Sequence, residues 1–230
     1  MSSLTAVRYR PTSYQRGEDT RRRILETAID VFATVGYEGA GTRMLAERAG
    51  VNLPAIQYYF GSKEGLYRAA IGHIAEQIDL RMAPVADRVR AALGRDGATP
   101  KELLGLLHEI VEAFVTLVVG GGQLESRRLL FARAELERAA ALDPLHEIAM
   151  RQVVDPCRAL IGRLLRRPDD DETTILKTMT LLGQVTVFCN QGCRRALGWT
   201  EFTEERMQAI RSVMREHIDA IFCAMPGATS

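Results

Sequence analysis

The residues best suited to chemistry lie in one short run, Thr42 to Glu64. Gln57 carries an amide that can pair with adenine through one donor and one acceptor. Pro54 and Ala55 offer apolar contact to a thymine methyl, and Tyr58 and Tyr59 offer hydroxyls to phosphate. This is the chemistry of reading and gripping a duplex, not of breaking bonds. No catalytic set assembles elsewhere. His73, His108, His146 and His217 are scattered without a His-x3-His pair, and no Gly-x-Ser-x-Gly, Gly-x-Gly-x-x-Gly or Cys-x-x-Cys occurs. The sequence therefore predicts no enzyme, no metal site and no cofactor. One pair stands apart: Cys189 and Cys193 are four residues apart and share a face if helical. They are either a soft-metal or oxidant-sensing pair or two inert core thiols. Cys157 and Cys223 add no zinc or disulfide spacing.

The elements that must position this run are legible in its own spacing. Leu45, Ala46, Ala49, Val51 and Ile56 bury one side of each of two short helices against the other. Gly50 falls where the first helix must stop and the chain reverse, a position suited to a left-handed residue. Asn52 caps the second helix, and Pro54 occupies its first turn, where a missing N–H costs nothing. Ile56 and Phe60 point inward. Of the two tyrosines, one is expected partly buried and one outside. Ser62 caps the next helix, and Glu64 sits favourably in its first turn. Upstream, Ile24, Leu25, Ala28, Val31 and Phe32 form the stripe of a helix from about Asp19 to Val35. A helix-turn-helix with an exposed second helix fits a DNA major groove.

These residues resemble the helix-turn-helix domain of the TetR (tetracycline-repressor) family. The flanking Ile24–Ala28 and Val31–Tyr37 look like its first helix and Gly-Tyr turn, and Ala49–Asn52, Tyr58–Phe60 and Ser62–Tyr67 look like the rest. The likeness covers roughly residues 18 to 78. The variants Asn52, Ala55-Ile56, Tyr58–Gly61 and Lys63–Tyr67 look most like the CecR (CerR-type) subgroup, tied to drug efflux and stress regulation. The resemblance implies an all-α protein of about nine helices, with Leu53–Phe60 as recognition helix. It implies DNA contacts by Thr42, Arg43, Leu53, Pro54, Ala55, Gln57, Tyr58, Tyr59 and Lys63. Ala40 and Gly41 stand where the family often has hydroxyl residues, so the helix at Thr42 is expected to be weakly capped.

The whole chain agrees with an all-helical reading: 230 residues, 47% apolar and 26% charged, with few alternating β-branched runs. Net charge is only +1, but residues 1–68 carry ten Lys/Arg against seven Asp/Glu, a net +3, which leaves −2 for the remainder. So modest a field makes DNA affinity a matter of local placement. Residues 1–17 read as a disordered basic arm, 18–78 as the DNA-binding domain with its motif at 41–60, and 79–230 as a regulatory and dimerisation domain. The fourth helix is expected to run from about Ser62 to near Leu80 or beyond, with Pro84 ending or kinking it. Pro156 should kink a helix running from Asp143 towards Arg166. Two late apolar helices, about Asp171–Leu197 and Thr203–Cys223, supply the predicted dimer interface: Ile175, Met179, Leu182, Val185, Met207, Ile210, Met214 and Ile218. Leu107, Val111, Phe114, Phe131, Met150 and Phe188 are the candidate ligand pocket. The first 17 residues lack the apolar run of a signal peptide, and His108, Glu109 and Glu112 interrupt the most apolar stretch, so no membrane partner is expected. The expectation is a cytoplasmic, homodimeric, effector-released repressor of a palindromic operator. Two rivals remain: a redox- or metal-responsive regulator using Cys189 and Cys193, and a helical interaction protein without DNA binding.

Overall fold

The computed structural model describes residues 13–120, 124–137 and 139–223. Among them every regular element is helical and there is no strand. The chain divides into two compact units, one up to Ala70 and one from Ile71.

In the first unit, α1 spans Ser13–Gly39 and is broken at Gly36, whose φ of 75° only glycine adopts freely. It begins earlier than Asp19, so residues 13–17 are helical rather than part of a disordered arm; residues 1–12 lie outside the described residues. Ile24, Leu25, Ala28, Val31 and Phe32 are all buried. Beyond the break, Phe32, Tyr37 and Tyr67 form an edge-to-face cluster, with Tyr67 centred 4.9 Å from Phe32 and 5.1 Å from Tyr37. Two eight-residue helices follow, α2 (Thr42–Ala49) and α3 (Leu53–Phe60). The long α4 (Lys63–Leu93) then leads out of this unit.

In the second unit α4 runs on through Pro84 to Leu93. Pro84 sits within it on the exposed side, where the ring is tolerated and the cost is the missing N–H opposite the Leu80 carbonyl. The core is built from Met82, Val85 and Val89 of α4 and the buried stripe of α5 (Pro100–Val119), covered by helices from α8 onward. Thr99 caps α5 by accepting from the Glu102 N–H at 3.2 Å. Gly120 ends it; Gly121 and Gly122 of the glycine break lie outside the described residues. In α6 (Leu124–Glu137), Arg128 donates to the carbonyls of Val118 (2.8 Å) and Gly120 (3.2 Å), satisfying the orphan acceptors at the end of α5.

The helix expected from Asp143 towards Arg166 is three pieces: α7 (Asp143–Ala149), a π turn (Met150–Val154) and α8 (Asp155–Leu165). Pro156 cannot donate, and the wider turn immediately before it absorbs the defect. That turn presents Gln152, a buried polar side chain. Its amide donates to Asp79 and accepts from Arg90 at 3.2 Å, while Arg151 pairs with Asp79 at 3.0 Å. The Gln152 hydrogen bond, aided by Arg151, holds the Asp79 carboxyl below its ordinary pKa.

The helix expected over Asp171–Leu197 is likewise divided, into α9 (Glu172–Thr186), a 3-10 turn (Val187–Cys189) and α10 (Gln191–Ala196). Asn190 is extended (ψ 125°) and its side chain accepts from the Gly192 N–H at 2.7 Å, restarting the helix. The last helix, α11, spans Glu204–Cys223.

These two late helices correct the predicted interface. Leu182, Val185, Met207, Ile210, Met214 and Ile218 are buried within the chain's own core and are not open to a partner. Their i, i+3, i+4, i+7 spacing reports a core stripe, and α5 and α8 consume it. Ile175 is half-buried and Met179 is 45% exposed, so those two alone of the set remain at the surface. The candidate pocket is also dispersed. Leu107 and Val111 are core, Phe114 and Phe188 are half-buried at its margin, and Phe131 and Met150 are exposed.

Candidate nucleic-acid interface

The turn between α2 and α3 is built as its residue types require. Gly50 adopts the left-handed conformation (φ 62°, ψ 39°), and the Val51 N–H returns to the Ala46 carbonyl at 3.0 Å. Asn52 accepts from the Ala55 N–H at 3.1 Å, and Pro54 occupies the first turn of α3. At the other end Gly61 turns the chain (φ 72°) and Ser62 accepts from the Gly65 N–H at 2.9 Å, capping α4. Gly65 has its own reason: a Cβ there would collide with the Phe60 carbonyl oxygen. The start of α2 has no side-chain cap, because Gly41 stands at that position.

These constraints leave one face of α3 outside. Ile56 is 2% exposed and anchors the helix, while Leu53 is 43% and Tyr58 83% exposed. Pro54 and Gln57 are exposed with them; Ala55 and Tyr59 are half-buried, and Tyr59 packs edge-on to Tyr58 at 5.0 Å between centroids. An open cleft of about 590 Å³ is bordered by Thr42, Leu53, Pro54, Gln57, Tyr58 and Lys63. Arg43 lies exposed beside Thr42. Every residue expected to touch DNA is thus within this small unit, at its surface or margin. Leu53 and Tyr58 thus face outward beside Pro54 and Gln57.

Two cation–ring contacts were not legible in the sequence. The Lys63 ammonium sits 4.3 Å from the ring centroid of Tyr37, itself held by Phe32 and Tyr67. The Arg21 guanidinium lies 5.5 Å from the Phe60 ring centroid, at the end of α3. Tyr37 was visible as half of a Gly-Tyr turn, but spacing alone does not show which cation its ring would receive.

The cysteine pair does not lie on one continuous helix: the break at Asn190 puts Cys189 on the 3-10 turn and Cys193 on α10. Burial pushes the Cys189 thiol up, with Arg128 and Arg194 pulling the other way. Burial alone pushes Cys157 up to about 12. Among the described residues no group of three His, Cys, Asp or Glu is placed to hold a metal ion.

An exposed eight-residue helix braced by a second across a glycine turn defines a helix-turn-helix DNA-binding protein. Residues 24–70 match the family model of bacterial regulatory proteins of the tetR family, and residues 104–225 match that of the C-terminal domain of the HTH-type transcriptional dual regulator CecR. The chain belongs to the TetR family of transcriptional regulators, with a C-terminal domain of CecR type. It is similar to the dual regulator CecR of Shigella flexneri, at 29% identity over 92% of this chain and 95% of that one. The regulatory protein RaaS of Mycobacterium tuberculosis is 46% identical over only 24% of this chain and 26% of its own. Among solved structures, FadR of Bacillus subtilis, in complex with stearoyl-CoA, superposes with a TM-score of 0.59 at 15% identity, over 86% of this chain and 96% of that one. A TetR-like regulator from a Rhodococcus species gives 0.59 at 19% identity, over 94% and 100%.

Proposed function

We propose that the protein is a homodimeric repressor that binds a palindromic operator and is released by a small-molecule effector. The observation that carries this is α3 itself: Leu53, Pro54, Gln57 and Tyr58 stand exposed while Ile56 pins the helix to the fold. In this reading Gln57 reads adenine, Pro54, Ala55 and Leu53 meet base edges and thymine methyls, and Arg43 reads guanine or, with Thr42, grips phosphate. Tyr58, Tyr59 and Lys63 contact the backbone.

In this reading dimerisation keeps Met179 from the set the spacing suggested and adds three residues outside it. Leu176 and Met179 of α9, Val187 just beyond it and Val213 of α11 are large apolar side chains left exposed. A second copy covering them would set two α3 helices one DNA turn apart, about 34–36 Å. The effector would act by binding the DNA-free arrangement more tightly than the DNA-bound one, since equal affinity for both regulates nothing. The effector of this chain is read as a small organic molecule; the FadR structure holds stearoyl-CoA. The cytoplasmic reading rests on the DNA-binding role; among the described residues no helix is long and apolar enough to cross a membrane.

A gel shift with DNA from upstream of the protein's own gene, alongside sedimentation of the free protein, tests this reading. Retarded bands with two chains per site, and a sedimenting dimer, are expected. A protein that stays a single chain, or that leaves all DNA unshifted at low salt, would contradict it.

A further inference from the structure

Within the second unit an open cleft of about 730 Å³ lies between α4, α5 and α11. Four arginines border it, against two glutamates. Arg81 and Arg88 are seven apart on α4, and Arg211 and Arg215 are four apart on α11, so each pair lines one face of its helix. From α5, Glu109 pairs with Arg88 at 2.6 Å and Glu112 pairs with Arg215. Arg211 is held by Glu204 at 2.7 Å and by the Thr116 hydroxyl at 3.2 Å. Arg81 is exposed and makes no hydrogen bond or ion pair among the described residues. Counting Glu204, three glutamates pair with three of the four arginines, so the cleft keeps one positive charge in excess, that of Arg81.

We propose that this cleft is an anion site for a small molecule carrying a phosphate or diphosphate group. Guanidinium forks from two helices match the several oxygens of a phosphoryl group, whereas a lone carboxylate satisfies one fork. The volume falls in the range of small-ligand sites. The Arg88–Glu109 and Arg215–Glu112 pairs are half-exposed, and such pairs contribute little and open readily to a competing anion. Arg81 and Arg88 also flank Pro84, where the helix lacks one hydrogen bond, so a bound phosphate would staple α4 across its weakest turn. As the anchor of an effector, the site rests on the regulator reading above; as an anion site, it stands on the four guanidinium groups alone.

The test is calorimetric titration of the full chain with sodium pyrophosphate at 150 mM salt, about physiological screening. One saturable site per chain is expected. Arg81→Gln, which breaks no contact, should weaken it several-fold, and Arg81→Gln with Arg215→Gln about tenfold or more. Lys63→Ala, which removes a charge at the DNA face, should leave it unchanged. Absence of saturable binding, equal affinity in the double variant, or tighter binding of citrate than of pyrophosphate would overturn the proposal. A failed titration beside an intact gel shift would remove the anion site and leave the regulator reading standing.

Discussion

Two apolar helices of this molecule put their side chains to opposite uses. In α3, eight residues long, only Ile56 is fully buried, and Leu53 and Tyr58 face outward. In α11, twenty residues long, Met207, Ile210, Met214, Ile218 and Phe222 are all buried in the chain's own core. A short helix braced at one point cannot hide its apolar residues, so those left over are available for a partner. A long helix with a complete i, i+3, i+4, i+7 stripe spends that stripe on folding. Apolar content alone therefore does not mark an interface; what matters is whether enough helix surrounds the residue to cover it.

The comparison is easiest to break at the core. Ile218→Ala should destabilise the second unit by about 2–5 kcal/mol, the range for a large-to-small change in a packed interior. Met179→Ala, at an exposed position, should leave the stability of the isolated chain within about 0.5 kcal/mol. Thermal or denaturant unfolding reads both, and equal losses would erase the distinction between core stripe and leftover surface. On the α3 side, Gly65→Ala drives a methyl into the Phe60 carbonyl and should cost about 1–3 kcal/mol, with DNA binding weakened in step. Unchanged unfolding would show that α3 and α4 approach less closely. Asn52→Ala removes the cap that accepts from Ala55 and should cost about 1 kcal/mol, measured in the same way. The smallest effect belongs to Lys63→Ala. It should weaken all DNA sequences alike and reduce the slope of log affinity against log salt by about one, with folding unaltered. A change in sequence preference would instead make Lys63 a base reader.

The first unit was largely legible because its signals are local. Gly50, Asn52, Pro54 and Ser62 each fix a turn or cap within four residues, and the structure realises each one. The second unit was less so. Pro156 suggested a kink, but whether a helix bends or widens into a π turn depends on what packs beside it; here Asp79 and Arg90 from α4 receive Gln152. Asn190 is a familiar capping residue, yet nothing nearby in sequence signalled that it would interrupt a helix and put Cys189 and Cys193 on different elements. The interface and pocket sets failed for the same reason. Periodicity tells which residues share a face, not what covers that face. Leu182 and Ile218 thus read the same as true contact residues, and Phe131 and Met150 the same as pocket residues.

The central claim is that the outward face of α3 reads DNA sequence. Selection of binding sites from random duplexes by the wild-type protein and by Gln57→Ala tests it most directly. The account predicts two half-sites about 10–10.5 base pairs apart for the wild type. In the variant, preference should relax at one position of each half-site, a loss of about 1–3 kcal/mol of discrimination there. Identical preferences from the two proteins would contradict it.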